Sequence, residues 1–398
     1  MCRKLIISLL LLTFALLNGA AASANGGPTV AILRFGGLSD ALTITEGTVL
    51  DVLQSYGFIS ADERAALNDR ADLHGENLNI IWDDAGTELI RANLMIEKAL
   101  DQGADVLLTL TTPVTRAAVN LTLDMDRPPA IIFASVYSPA DAGVAQSQCV
   151  KPAHVTGVFL DPPYQRIMEL ITLLDPNISI IGTVFSAREI SGSTGADSIA
   201  THGQGAGLQV LKGFVSAFRD MHYAIEGLIG RGAQALVLPV DSVTARSMSI
   251  ASDLSMTHGI PLIYGNAEAV FEGATLGMGT YRHVDQGLNV GRILTGYLAG
   301  DLDIATTGIS AISGHTVALN LDVAAAQGVE ISNELLALAD IVIEDNQAIT
   351  STLVQARLAQ RPIDLPDIAF EHDAAYLQSL HCTEEMIAEQ KAALDAAG

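Results

Sequence analysis

Motifs that mark the common classes of enzyme are missing from this chain of 398 residues. There is no G-x-x-x-x-G-K-[ST] phosphate loop, and no G-x-S-x-G nucleophile elbow, because Ser191 stands where the glycine before Ser193 would be. The glycines at 203, 205 and 207 follow a predicted helix, whereas a dinucleotide fingerprint follows a strand. The sequence therefore gives no support for catalysis, and we predict no cofactor.

Metal-binding motifs are missing as well. The 9 histidines are scattered and include no H-E-x-x-H pair. We therefore predict that His283 and His315 are surface or strand-end residues, and we predict no metal site.

Basic residues are scarce: 21 Lys and Arg stand against 45 Asp and Glu, which gives a formal charge of −24. Such a chain is repelled by phosphate backbones and by anionic membrane surfaces. Nucleic acid is thus excluded as a partner, and most of the acidic surplus is expected on the solvated surface.

Long apolar runs are absent after the first residues. Arg3 and Lys4 precede an apolar run over 5–17, and Ala22-Ser23-Ala24 supplies the small residues of a cleavage site, which predicts a signal peptide over 1–24. A membrane anchor needs roughly 20 apolar residues, and no cysteine that could carry a lipid follows the run. We expect a soluble exported protein whose mature chain has a charge of −26, because both basic residues are removed.

Cysteine is rare, and only Cys149 and Cys382 remain after the predicted cleavage. An oxidising compartment permits a disulfide between them. The sequence does not show whether the two residues are close enough, so their pairing stays open.

Apolar strand patterns alternate with amphipathic helix patterns, which is typical of βαβ units and a parallel sheet. The alternation starts afresh after residue 153, so we predict an α/β fold with two doubly wound parallel-sheet lobes. The predicted strands cover 29–33, 77–82, 104–110 and 130–133, then 154–160, 178–185, 208–214, 233–239, 260–264, 275–280 and 315–320.

The stretch Pro129–Pro139 is predicted to be the first crossing between the lobes, because a buried strand pattern there ends in serines and a proline. We expect the first lobe at 28–134 plus 281–311 and the second at 135–280 plus 312–345. A Ser/Gly-rich loop is expected over 186–195, and residues 346–398 are expected to form an extension packed on the outside.

Polar residues follow the predicted strands, and each could simply cap a helix. Because strand ends of two facing sheets converge, several such clusters together predict a cleft that closes on a small polar ligand. The candidate ligand-binding residues are Ser39, Thr111, Thr112, Ser135, Ser138, Asp241, Ser242, Asn266, Glu268, Tyr281 and Arg282.

Several stretches resemble one family, the periplasmic substrate-binding proteins of ABC importers, in the branch that includes tryptophan- and tyrosine-binding members. The stretches include GADVLLTLTTPVTRAA from Gly103, PAIIFASVYSPADAG from Pro129 and GIPLIYGNAEAVFEGA from Gly259. The resemblance runs from about residue 29 to 345. It implies a two-lobed type I periplasmic binding fold with three crossovers, a ligand held at the strand ends and an inner-membrane permease as partner.

Three positions depart from that resemblance. Ser138 and Ala267 stand where members of the family commonly carry aspartate, so the carboxylates that an amino-acid ammonium requires are fewer here. Arg282 stands where a neutral residue is common, and it offers a partner for a ligand carboxylate.

We therefore expect a monomeric, non-enzymatic binding protein for an amino acid, possibly aromatic, or a related carboxylate. Two alternatives stay open: a periplasmic sensor that delivers its ligand to a receptor kinase or chemoreceptor, and an exported enzyme.

Overall fold

The computed structural model describes residues 27–36, 40–279, 283–312, 315–350 and 370–397. The predicted signal peptide lies outside these residues. Two sheets with helices on their faces make up the described chain, which confirms the predicted α/β class.

The first sheet has seven strands in the order β12-β6-β5-β4-β1-β3-β2, all parallel to their neighbours except β2. Its strands are β1 (Thr29–Arg34), β2 (Leu73–His74), β3 (Asn79–Asp84), β4 (Val106–Leu110), β5 (Ala130–Tyr137), β6 (Val155–Leu160) and β12 (Ser310–Ala311). The helices near it are α1 (Asp40–Ser55), α2 (Ala61–Ala66), α3 (Leu89–Asp101), α4 (Thr112–Thr122) and α10 (Val284–Ala299).

Helices cover both faces of this sheet, which explains why its strands are apolar runs without alternation. Val30 and Ile32 face a core built with α1 and α10, whereas Ala31 and Leu33 face a core built with α3 and α4. We call this sheet and its helices the first lobe.

The second sheet has eight strands in the order β15-β14-β13-β11-β10-β9-β7-β8. Its strands are β7 (Ile180–Ser186), β8 (Gln209–Val215), β9 (Ala235–Leu238), β10 (Leu262–Tyr264), β11 (Leu276–Gly279), β13 (Thr316–Asn320), β14 (Ile341–Glu344) and β15 (Gln347–Thr350). Its helices are α5 (Tyr164–Leu174), α6 (Ile190–Gly205), α7 (Met221–Gly230), α8 (Ser242–Arg246), α9 (Met248–His258), α11 (Leu321–Gln327) and α12 (Asn333–Leu338). This sheet and its helices form the second lobe.

The second sheet is also buried on both faces. Ile181 and Val237 contribute to a core with α5 and α6, and Leu236 and Leu238 to a core with α7 and α9. The pairs β11–β13 and β14–β15 are antiparallel, and the other pairs are parallel.

The chain passes between the lobes three times: after β6, between β11 and α10, and between β12 and β13. The first passage lies later than predicted. Residues 155–160, expected in the second lobe, pair with β5 in the first sheet. Three of these pairs precede a bulge in β5, where Ser135 has a φ of 55° and the register shifts between Phe133 and Val136. Pairing then continues to Tyr137, so β5 does not leave the first sheet at Ser135.

The loop predicted over 186–195 is wrong in its second half, because α6 begins at Ile190. The hydroxyls of Ser193 and Thr194 both donate to the carbonyl of Ile190, so they do not interrupt the helix. Gly195 lies against Pro239, where an added Cβ would come within 2.7 Å of the proline Cβ. The glycine therefore allows close packing and does not mark a loop.

The C-terminal segment is divided between the lobes. β15 (Gln347–Thr350) extends the second sheet beyond the predicted boundary at 345, whereas α13 (Phe370–Ser379) and α14 (Glu384–Ala397) pack on the first lobe. Leu377 packs against Gly296 of α10, and the Gln390 side chain accepts hydrogen bonds from Ser147 Oγ (2.6 Å) and Cys149 N (2.8 Å). A disulfide joins Cys149 to Cys382.

We expect the disulfide to stabilise the protein because it removes loop-closure entropy from the unfolded chain across a separation of 233 residues. Replacing both Cys149 and Cys382 with serine should lower the free energy of unfolding by about 2–4 kcal/mol, measured by denaturant unfolding. Dithiothreitol should lower the stability of the wild type and leave the double variant unchanged. Equal stability of wild type and variant would contradict the prediction.

Candidate functional site

A cavity of about 340 Å³ opens between the lobes at the carboxyl ends of both sheets. We call it the cleft. Such strand ends are where open parallel sheets hold ligands, because the chain leaves the sheet there and polar loop residues converge. The first lobe contributes Phe35, Thr111, Thr112, Ser135 and Tyr137, and the second contributes Glu189, Asp241, Ser242, Tyr264, Asn266 and Glu268.

Seven of the predicted site residues line this cleft. They are Thr111, Thr112, Ser135, Asp241, Ser242, Asn266 and Glu268. Ser138 does not line it: with a φ of 46°, it turns the chain after β5, and its carbonyl accepts from Ala142 N. Ser39, Tyr281 and Arg282 lie outside the described residues.

The hydroxyls of the first lobe hold the cleft wall in place. Thr111 Oγ1 donates to the carbonyl of Phe35 at 3.0 Å, and Thr112 Oγ1 accepts from Tyr137 N at 2.9 Å. Ser135 Oγ donates to Gln286 Oε1 of α10 at 2.8 Å. These bonds fix three loops relative to one another, which gives the ligand a preformed wall.

Asp241 caps α8 and also fastens β7 to it. Its Oδ1 accepts from Val243 N (2.9 Å) and Thr244 N (2.8 Å), and its Oδ2 accepts from Ser186 N (2.9 Å). The helix-cap alternative thus describes this carboxylate well.

Glu189, which the sequence did not indicate, supplies a second buried carboxyl group beside Asp241. It accepts from Ser242 Oγ (2.5 Å) and Ser242 N (3.1 Å). Burial raises the pKa of Glu189, and burial together with the nearby Glu189 raises the pKa of Asp241 to about 7. Near neutral pH the two acids therefore compete for ionisation, and a cationic group would favour the ionised forms.

The acid pair predicts a pH-dependent stability. Asp241 ionises near its ordinary pKa of 3.8 in the unfolded chain and near 7 in the fold. The protonated form therefore stabilises the fold, and this contribution is fully present below the unfolded-state pKa of 3.8 and is lost as the pH rises through the folded-state pKa of about 7. Glu189→Gln removes the neighbouring acid but can still hydrogen-bond both groups of Ser242. The loss of unfolding free energy between about pH 5 and 8 should shrink by about 1 kcal/mol or more.

The measurement is denaturant unfolding across this pH range. Glu97→Gln, on the exposed side of α3, serves as the matched control and should keep the wild-type profile. If the Glu189→Gln profile superimposes on the wild type, the coupling of the two acids is contradicted.

Aromatic side chains form the apolar part of the cleft. Tyr137 and Tyr264 line it from opposite lobes, and Phe35 follows β1. Burial raises the pKa of both tyrosines, so both hydroxyls stay protonated. The sequence held a signal for these residues, because Tyr137 lies between the two candidate serines and Tyr264 ends the strand before Asn266.

The prediction that His283 is a surface or strand-end residue is wrong. Its side chain is 2% exposed and lines the cleft at the start of α10. Neither ring nitrogen has a hydrogen-bond partner in the part of the chain that the structure describes, and Nε2 lies 3.7 Å from Glu268 Oε2. Burial lowers the pKa of His283, which favours the neutral ring with one donor and one acceptor. Within the described residues this buried imidazole therefore keeps hydrogen-bonding capacity that a ligand in the cleft could use. His315, in contrast, is exposed.

Arg246 brings a cation to the mouth of the cleft. Its Nη1 donates to Thr87 Oγ1 of the first lobe at 3.3 Å, and its guanidinium lies over the Phe218 ring at 5.4 Å. The side chain therefore links the lobes beside the opening.

The described residues include no cluster of three or more metal-ligating side chains. Among them, no helix combines the length and the apolar character that crossing a membrane requires.

The chain matches a family model described as ABC transporter substrate binding protein over residues 62–343. A tyrosine-binding protein from Clostridioides difficile (strain R20291) is 25% identical over 254 residues, which are 63% of this chain and 70% of that protein.

Two solved structures have a similar fold. A conserved domain protein from Vibrio cholerae has a TM-score of 0.70 at 20% identity and covers 79% of this chain and 99% of its own. An ABC domain from Streptococcus pneumoniae in complex with L-Trp has a TM-score of 0.69 at 21% identity, and the match covers 80% of this chain and 100% of that domain. The two similarities support the two-lobed type I periplasmic binding fold.

Proposed function

Because this chain belongs to the ABC transporter substrate-binding protein family, we propose that it captures a small organic ligand in the cleft and presents it to an inner-membrane permease. The observation that carries the proposal is a cleft lined from both lobes, with the imidazole of His283 in its wall and no hydrogen-bond partner for that ring among the described residues. Closure of the lobes would bury the ligand. We infer a monomer that acts in the periplasm after removal of residues 1–24.

We propose an amino acid, possibly aromatic, or a related carboxylate as the ligand. Tyr137, Tyr264 and Phe35 offer flat apolar surfaces for a side chain or ring. The carboxyl groups of Glu189 and Glu268 favour an ammonium group, and Arg246 is placed for a carboxylate. These acids offset the absence of aspartate at 138 and 267. The tyrosine-binding relative and the L-Trp complex support the same choice.

A sensor with the same cleft is the second candidate, since capture by closure suits a receptor as well as a permease. Genes for a permease and an ATPase next to this one would favour transport, and a kinase gene would favour sensing. An exported enzyme would consume its ligand, whereas a binding protein returns it unchanged.

We expect a ligand to raise the melting temperature, because a molecule that binds only the folded state stabilises it by mass action. At a concentration of about 100 times Kd the gain is about 2.7 kcal/mol. The measurement is a thermal-shift screen of the mature protein with L-tyrosine, L-tryptophan, the other amino acids, organic acids and nucleosides. If no compound shifts the protein, the proposed function fails.

His283→Phe should separate ligand binding from folding. The substitution removes both ring nitrogens but keeps a planar ring, and no protein hydrogen bond is lost within the described residues. We therefore expect unchanged or higher unfolding free energy and an affinity lower by about tenfold or more for the hit of the screen. Isothermal titration measures the affinity, with His222→Phe on the exposed side of α7 as the matched control. Wild-type affinity in His283→Phe would exclude contact between His283 and the ligand.

A further inference from the structure

A second cavity of about 310 Å³ lies beside the cleft, between α4 of the first lobe and the start of α6 in the second. The two helices contact each other there. We call this cavity the groove. Its two walls belong to different lobes, so a molecule bound in it would contact both.

Four polar side chains of the groove offer hydrogen-bond donors: two guanidinium groups and two amides. Arg116 and Asn120 project from α4, Asn93 from α3, and Arg188 precedes α6. Within the residues that the structure describes, none of these four side chains forms a hydrogen bond or an ion pair with the protein. The groove thus carries one guanidinium group on each wall, in a chain of 21 basic and 45 acidic residues.

Among the residues that the structure describes, Glu189 is the one acid that lines the groove, and its carboxyl group is already engaged. Both oxygens accept from Ser242, and the side chain is buried, whereas Arg116 and Arg188 are exposed to solvent. Arg188 lies close enough to Glu189 to favour its ionised form, but burial opposes this more strongly. Glu189 therefore leaves most of the positive charge of the groove available.

The start of α6 adds to this electrostatic environment. Glu189 is the N-cap residue, and its side chain makes no capping hydrogen bond to the N–H groups of the first turn. A helix of 16 residues carries partial positive charge at this end. The helix end thus supports the two arginines in attracting an anion.

We propose that the groove binds an oxyanion group, a carboxylate or a phosphate, between Arg116 of the first lobe and Arg188 of the second. Guanidinium groups bind both oxyanions through paired hydrogen bonds, and the neighbouring asparagines add amide donors. An anion held from both walls favours the arrangement in which α4 and α6 are close. Since Glu189 also lines the cleft, the oxyanion comes either from a free ion or from the acidic end of a cleft ligand.

The first arm of the test uses inorganic phosphate and does not depend on the proposed function. Phosphate is titrated into the mature protein at constant ionic strength, with chloride as reference, and binding is followed by thermal shift and isothermal titration. We expect phosphate to raise the melting temperature of the wild type. Arg116→Gln and Arg188→Gln should each weaken binding about tenfold, because each removes a charge-assisted contact. Arg231→Gln, an exposed arginine after α7, is the matched control and should bind as the wild type does.

The second arm rests on the proposed function and uses two dipeptides that differ in one carboxylate, L-tyrosyl-L-aspartate and L-tyrosyl-L-asparagine. If the groove receives the acidic end of a cleft ligand, the wild type prefers the aspartate dipeptide about tenfold. That preference should disappear in the variant that carries both Arg116→Gln and Arg188→Gln.

The two arms distinguish the two sources of the oxyanion, and they separate a failure of the groove proposal from a failure of the proposed function. Phosphate binding that requires the arginines supports a free ion, and an arginine-dependent dipeptide preference supports an acidic ligand end. If neither phosphate affinity nor dipeptide preference changes in the double variant, the groove is not an oxyanion site, whatever the thermal-shift screen shows for the cleft.

Discussion

Buried hydrogen-bonding groups must find partners, and this constraint determines what the cleft can offer a ligand. Most polar side chains at the strand ends are bonded to the protein itself: Asp241 to three backbone N–H groups, Ser135 to Gln286, and Thr112 to Tyr137 N. They set the shape of the wall. Among the lining residues, His283 stands out because the described protein leaves both of its nitrogens unsatisfied.

The same constraint explains the acid pair. Glu189 and Asp241 approach each other because each is needed by the backbone or hydroxyl groups that join β7 to α8. Their burial and proximity raise the pKa of Asp241 and disfavour the ionisation of both acids. An ammonium group would relieve this repulsion, so a structural network also prepares the electrostatics of the site.

Much of the architecture could be predicted from the sequence, because strands buried on both faces are continuous apolar runs and the helices show their own periodicity. Seven of the cleft residues were found because polar residues follow those runs. The first passage between lobes was misplaced, since the bulge at Ser135 lets a polar residue sit inside a strand. The sequence does not indicate Glu189 and His283 as cleft residues, because burial depends on contacts between distant segments. Glu189 falls in the predicted Ser/Gly-rich loop, and the packing around His283 comes from both lobes.

The disulfide has a consequence for the covalent integrity of the molecule. Cys149 precedes β6 and Cys382 follows α13, so every strand of the second lobe lies between the two bonded residues. A single cut by a protease anywhere in that interval leaves both fragments attached to each other. The second lobe can thus be nicked without being shed, and the cleft keeps both of its walls as long as the compartment remains oxidising.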